Sequence, residues 1–136
     1  MIRLAKEDDL DRLVQMGLRF RGESSYRTKI SANPEKMRET AKILVDKQSV
    51  LISEHGMLGF VIYDHFLSGE KTAGEVFWWV DPDHRGEGVR LLRQMERQAR
   101  QVGAKNLQMI APTERVGQFY ERLGYEYVES SYQKAL

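Results

Sequence analysis

The residues richest in chemistry lie in one stretch, Val80-Asp81-Pro82-Asp83-His84-Arg85-Gly86-Glu87-Gly88-Val89-Arg90. Gly86 and Gly88 stand two apart, with Arg85 and Arg90 outside them. Glycines at that spacing let the backbone approach a group that a Cβ would hold away, and the cations favour that group being an anion. Where such a turn opens a helix, its free N–H groups point at the same anion. The stretch reads as a cradle for the pyrophosphate of a nucleotide-like cofactor. Glycine spacing alone would serve any nucleotide.

Such a cradle needs a strand before it and a helix after it. Val76-Phe77-Trp78-Trp79-Val80 is an apolar, aromatic run of strand type, and Ala73 to Val80 reads as the whole strand. A helix is expected from about Val89 to Val102, with Leu92, Met95, Ala99 and Val102 on one face and Gly103 ending it. Upstream, Ile2-Arg3-Leu4 gives a short strand, and Asp8 is placed to cap a helix carrying Leu10, Leu13, Val14 and Gly17 on one face. Arg21 to Asn33 mixes Gly, Ser, Tyr and basic residues and reads as a surface loop. Asn33-Pro34 starts a second helix whose buried stripe is Met37, Thr40, Ala41, Leu44 and Val45. Ser49–Glu54 and Met57–Asp64 flank His55-Gly56 as a hairpin. Leu107 to Ile110 is a short buried strand, Thr113 caps a last helix that Gly124 ends, and Tyr125 to Lys134 alternates as a final strand. The order β-α-α-β-β-β-α-β-α-β predicts one domain over residues 1–136, mixed α/β of the α+β kind, with a mainly antiparallel sheet flanked by helices.

Composition narrows the partners. A hydrophobic content of 41% is enough for a real core, and 21 basic against 20 acidic residues give a net charge of only +1, so neither nucleic acid nor a membrane surface is expected as partner. No apolar run has the roughly 18–20 residues of a membrane span, and the first residues do not read as a signal peptide. A cytoplasmic protein is expected. The lack of cysteine excludes a covalent thiol mechanism, and three dispersed histidines, His55, His65 and His84, make no convincing metal set.

A second motif, Val116-Gly117-Gln118-Phe119-Tyr120-Glu121-Arg122-Leu123-Gly124-Tyr125, joins the first in a recognisable order. Together they resemble the GNAT superfamily of acyl-CoA-dependent N-acyltransferases. Its signature Val-x-Pro-x-x-Arg-Gly-x-Gly-x-Gly is met by Val80, Pro82, Arg85, Gly86 and Gly88, and its late Phe-Tyr-x-x-x-Gly-Phe helix by Phe119, Tyr120, Gly124 and Tyr125. Arg90 stands where the last glycine or alanine is usual, and the stretch to Gly103 is about two residues short. Setting Gly86 on the inner glycine restores the helix length but puts Asp83 at the leading Gln/Arg. Thr113 and Val116 replace the usual Asn and Ala.

The resemblance implies acetyl transfer from acetyl-CoA, with no metal, to a primary amine on a small molecule or peptide, by direct attack in a ternary complex. It places the cosubstrate on Trp79, Val80, Arg85, Gly86, Glu87, Gly88, Val89 and Arg90, where the strand ending at Val80 and the strand Leu107–Ile110 splay apart. An oxyanion donor is expected from the backbone N–H of Trp79 or Val80. Tyr120 maps onto the tyrosine that serves the departing thiolate, although it also shares an apolar face with Val116, Phe119 and Leu123 and would pack there. The general base is Glu75, with Glu54, His55 or a water chain as alternatives. Trp78 and Trp79 point to opposite faces, one under a helix and the other towards the acceptor groove. If the Arg21–Asn33 loop forms a wall of that groove, Arg21, Arg27 and Lys29 favour an acidic acceptor. A homodimer through the final strands or the Trp-bearing face is compatible with catalysis. A CoA-binding sensor without turnover, or a module that binds through its final strand, would carry the same motifs.

Overall fold

The computed structural model describes residues 1–136. Five strands form one sheet in the order β1-β2-β3-β4-β5: β1 Arg3–Leu4, β2 Val50–Ile52, β3 Gly56–Asp64, β4 Lys71–Val80 and β5 Asn106–Gln108. All neighbours are antiparallel except β4 and β5, which the helix between them makes a parallel βαβ pair. The helices are α1 Leu10–Glu23, α2 Pro34–Asp46, α3 Gly86–Gln101 and α4 Glu114–Arg122. No helix is long and apolar enough to cross a membrane.

Helices cover both faces, so β2 is buried at all three positions instead of alternating. Val50, Ile52, Met57 and Trp79 face α1 and α2 against Leu10, Leu13, Met16, Ala41 and Leu44. Leu51, Leu58, Phe60, Ala73 and Val80 face α3 against Leu91, Met95 and Ala99. Asn33 Oδ1 caps α2 through the N–H of Lys36 at 3.1 Å, and Thr113 Oγ1 caps α4 through that of Val116 at 3.3 Å. Gly103 and Gly124 follow α3 and α4 at φ 84° and 92°, a left-handed conformation that glycine adopts without strain.

Three expectations change. Asp9, not Asp8, holds the first helix's entry: its carboxylate accepts from Lys6 N at 2.8 Å and pairs with Arg3 at 2.7 Å, and a 3₁₀ turn precedes α1. The helix after the glycine turn starts at Gly86, three residues before Val89, so the turn itself forms its first coil. The final strand does not form. Tyr125 is fastened to Tyr120 O and to Glu96, but Tyr127, Val128 and Tyr132 beyond it are exposed. Alternation makes a strand only where a neighbour supplies the ladder, and β5 has just three residues to offer.

Candidate active site

The β4–β5 ladder runs only from Thr72↔Asn106 to Gly74↔Gln108. From Glu75 to Val80, β4 continues with no strand on that side, so the two chains part where the sequence places them apart. Two side chains occupy the fork. Ile110 N donates to Glu75 Oε1 at 3.1 Å, and Ile110 O accepts from the Tyr120 hydroxyl at 3.1 Å. Both polar groups of one residue, which a longer ladder would have matched with backbone, are satisfied by the two candidate catalytic side chains.

A β-bulge makes this possible. Gly59 pairs with Phe77 but Phe60 pairs with Glu75, which leaves Val76 as an extra residue on β4. In an unbroken strand Glu75 and Trp78 would point to opposite faces. With Val76 inserted, Glu75 lies opposite Phe60 and Trp78 opposite Leu58, both on the α3 face. Trp78 then stacks on Tyr120 with ring centroids 5.9 Å apart. Burial raises the Glu75 carboxyl to about 7, only partly offset by the hydrogen bond from Ile110. Burial, then the nearby Glu75 and Tyr125, push the Tyr120 phenol far above its ordinary value. Glu75 is thus poised to exchange a proton near neutrality. Tyr120 is a hydrogen-bond donor that will not give its proton up to a thiolate, whose conjugate thiol has a pKa of about 8.5.

The peptide N–H groups of β4 also divide between its edges. Asp81 N donates to His55 O at 2.9 Å, so by the antiparallel alternation Asp81 and Trp79 turn their N–H towards β3. Val80 and Trp78 turn theirs to the open edge. Of the two candidate oxyanion donors, Val80 has its N–H free on the cleft side and Trp79 does not. The Trp79 side chain lies on the α1 face, its Nε1 donating to Glu23 at 3.0 Å and the Arg19 guanidinium 4.7 Å from the ring centroid. The two tryptophans do face opposite ways.

In the turn, Asp81 accepts from Asp83 N at 2.9 Å and pairs with Arg19 at 2.9 Å, which holds the Pro82–His84 3₁₀ turn in place. α3 begins at Gly86, and the first N–H groups of a helix have no intrahelical acceptor. The two glycines play different parts. A Cβ on Gly86 would meet nothing within 4 Å, whereas one on Gly88 would lie 3.3 Å from Trp78 Cζ2 and 3.6 Å from Val80 Cγ2. Gly86 leaves the helix end open; Gly88 lets α3 lie on β4. Glu87 turns inward at 8% exposure and accepts from Ser53 Oγ at 2.6 Å, His55 N at 2.9 Å and His55 Nδ1 at 2.7 Å. Burial alone would raise its carboxyl, but the bonds from Ser53 and His55 hold it down at about 2. Its side chain is spent inside the protein, and only its backbone N–H remains for a ligand. Val89 is half-buried, and Arg85 and Arg90 are exposed with neither an ion pair nor a side-chain hydrogen bond. His84 stacks on His55 with centroids 3.5 Å apart, joining this turn to the β2–β3 turn.

Glu75, Tyr120 and Trp78 thus meet at the fork, and the free N–H of Val80 lies further along the same open edge, next to the Arg85–Arg90 turn. Glu54 is not tied into the cluster, and His55 serves Glu87. Sequence reasoning missed the bulge at Val76, the anchoring role of Ile110, and the capture of Glu87 by Ser53 and His55. No local signal marks the first two. The polar Ser53 in an apolar strand was a readable hint of the third.

Fold and cleft define an α+β acyltransferase domain. Residues 23–125 match the Acetyltransferase (GNAT) family, and the chain belongs to that family. No curated protein matches its sequence. Among solved structures, a transcriptional regulator from Bacillus halodurans C-125 is similar at TM-score 0.79 and 19% identity, covering 100% of this chain and 99% of its own. An acetyltransferase from Trypanosoma brucei aligns at TM-score 0.73 and 18% identity over 100% and 99% of the two chains. Glucosamine-6-phosphate N-acetyltransferase from Arabidopsis thaliana aligns at TM-score 0.73 and 16% identity over 99% and 97%. At these identities the likeness is one of fold.

Proposed function

We propose that the protein transfers an acetyl group from acetyl-CoA to a primary amine by direct attack in a ternary complex. The observation that carries this reading is the fork at Ile110, where Glu75 and Tyr120 are held on one residue beside the open edge of β4. The open helix end at Gly86 and the unpaired Arg85 and Arg90 fit a pyrophosphate, with the backbone N–H groups of Gly86 and Glu87 completing the cradle. Gly88 and Val89 shape it through packing. The Trp78 indole N–H, buried and with no acceptor in the chain, is a further donor for an amide carbonyl of the cosubstrate arm.

Acetyl-CoA supplies the thioester carbonyl that the amine attacks. Glu75 removes the proton from the amine, whose ammonium form, with a pKa of about 10.4, has no lone pair. The N–H of Val80 receives the negative charge that develops on the carbonyl oxygen. Tyr120 keeps its proton on Ile110 O until a thiolate, a stronger acceptor, arrives, and then stabilises it by a hydrogen bond while solvent protonates it.

The test combines binding with turnover. Millimolar acetyl-CoA is expected to raise the melting temperature, and Arg85→Glu with Arg90→Glu to abolish the rise; no shift for the wild type removes the reading. CoA release across an amine panel follows turnover, and Tyr120→Phe is expected to lower kcat about 10²-fold with KM for acetyl-CoA unchanged. A second reading, a CoA-binding sensor, is favoured by the fold's occurrence in a protein described as a transcriptional regulator. It requires binding without CoA release, and identical binding by Tyr120→Phe.

A further inference from the structure

The connection Ser53–His55 between β2 and β3 supplies no group to the reaction, yet three parts of the cosubstrate cradle are fastened to it. His55 makes a link to each. Its backbone O accepts from Asp81 N at 2.9 Å, one residue past the end of β4. Its ring stacks on His84 in the 3₁₀ turn, with centroids 3.5 Å apart and planes within 6° of parallel. Its N and Nδ1 meet the carboxylate of Glu87, the second residue of α3, at 2.9 and 2.7 Å. One residue therefore touches the end of the strand, the turn and the start of the helix.

This connection is braced from behind. Arg12, on α1, donates through Nη2 to Ser53 O at 2.7 Å and also to Glu54 O. A Cβ on Gly56 would lie 2.9 Å from Trp79 O, so the hairpin is pressed against β4. The contact with His84 differs in kind from the other two. The His84 ring makes no hydrogen bond, its Nδ1 standing 3.9 Å from Asp81 Oδ1, and the side chain is otherwise exposed. Stacking on a fixed ring is what locates it. The next residues in the chain are Arg85, with its unpaired guanidinium, and Gly86, where α3 opens.

We infer that His84 is a positioning residue for the cosubstrate, setting through its stack on His55 where Arg85 and the first N–H groups of α3 stand. The inference rests on the acetyltransferase reading above and adds the residues that preset its cradle. Without the stack, the backbone of Asp83 and His84 keeps only its bonds to Asp81, and the turn must be ordered when the ligand arrives, which weakens binding. The bond from Asp81 N to His55 O does not depend on the stack, so Val80 keeps its place. The loss falls on affinity and not on the chemical step.

His84→Ala is expected to raise both Kd and KM for acetyl-CoA about fivefold to tenfold, with kcat within about twofold. His84→Phe, which keeps a flat ring on His55, should restore the affinity, and His65→Ala, just past the far end of β3, should not change it. Amide exchange reads the same contact without ligand. Protection at Asp83 and Gly88, whose N–H groups bond to Asp81 Oδ1 and Arg85 O, should fall about threefold or more in His84→Ala and return in His84→Phe. Unchanged affinity in His84→Ala, or a His84→Phe no better than His84→Ala, overturns the inference. A fall in kcat as large as the loss of affinity marks a general structural defect and overturns it too. If the wild type binds no acetyl-CoA, the acetyltransferase reading falls and exchange decides alone. Protection lost in His84→Ala and regained in His84→Phe then sustains the stack as the clamp of this turn; unchanged protection overturns it.

Discussion

Glu75 sits half-buried in the fork with one hydrogen bond, from Ile110 N, and its burial sets its ionisation. With its carboxyl at about 7, activity that depends on Glu75 as a base rises with pH through that value. Glu75→Gln, which still offers Ile110 an acceptor oxygen, should remove the limb from the pH profile of kcat/KM and cost about 10²-fold or more in kcat. Stability runs the other way. The folded-state value is raised, so the native protein holds a proton that the unfolded chain releases from about pH 4.5. Its stabilising effect is complete below that and is lost as pH climbs to about 7. Glu75→Gln should thus match the wild type in unfolding free energy at pH 4 and exceed it at pH 8 by up to about 3 kcal/mol, read by chemical denaturation. Glu87 has the opposite sign. Its carboxyl is depressed to about 2, so its contribution is present above about pH 4.5 and fades as pH falls towards 2. Glu87→Ala should cost about 2–4 kcal/mol at pH 7, by chemical denaturation, because Ser53 and His55 lose their acceptor, and much less near pH 2.

Between α3 and β4 the two glycines differ in surroundings, Gly86 facing open space and Gly88 the Trp78 ring. Gly86→Ala adds a methyl to open space and should leave stability within a few tenths of a kcal/mol while weakening acetyl-CoA binding, read by titration calorimetry. Gly88→Ala should instead lower stability relative to Gly86→Ala, because its methyl lies 3.3 Å from Trp78 and the ring must shift to admit it. A lower melting temperature for Gly86→Ala than for Gly88→Ala would reverse the assignment. Much of this level was legible in the sequence. The helix faces, the Asn33 and Thr113 caps and the hairpin at His55-Gly56 follow from periods of 3.6 and 2 and from capping chemistry, all local. The bulge at Val76 was not legible, because Val76 fits a regular strand as well as a bulge, and only the register with β3 tells them apart. For the same reason Glu75 was reached through its place before the turn, while its partner Ile110 was seen only as the end of a strand. The final strand failed in the reverse direction: Tyr125–Lys134 has the pattern, but pattern without a neighbour is not a strand.

At the scale of the whole molecule, helices on both faces of the sheet leave exposed cations on each side. Cations without partners occur on both, Arg85 and Arg90 towards the α3 side and Arg27 and Lys29 towards the α1 side, although the net charge is only +1. Net charge gave no warning of this, since ion pairs such as Arg3–Asp9 and Arg19–Asp81 absorb other charges. The segment after Glu126 joins neither face, and its one side-chain bond, Tyr127 to Ser130, is internal to it. Ending the chain after Glu126 should leave the melting temperature within about a degree, whereas ending it before Tyr125 should lower it by removing the bonds to Tyr120 O and Glu96.

The two tryptophans of β4 are the only ones in the chain, and they look into different environments, Trp78 onto Tyr120 and Trp79 onto Glu23. Trp78→Phe and Trp79→Phe therefore leave the protein with one intrinsic fluorophore each, the first beside Glu23 and the second beside Tyr120. Stopped-flow emission from the pair on mixing with acetyl-CoA would report separately on the two faces of β4, and so show which of them a ligand disturbs first.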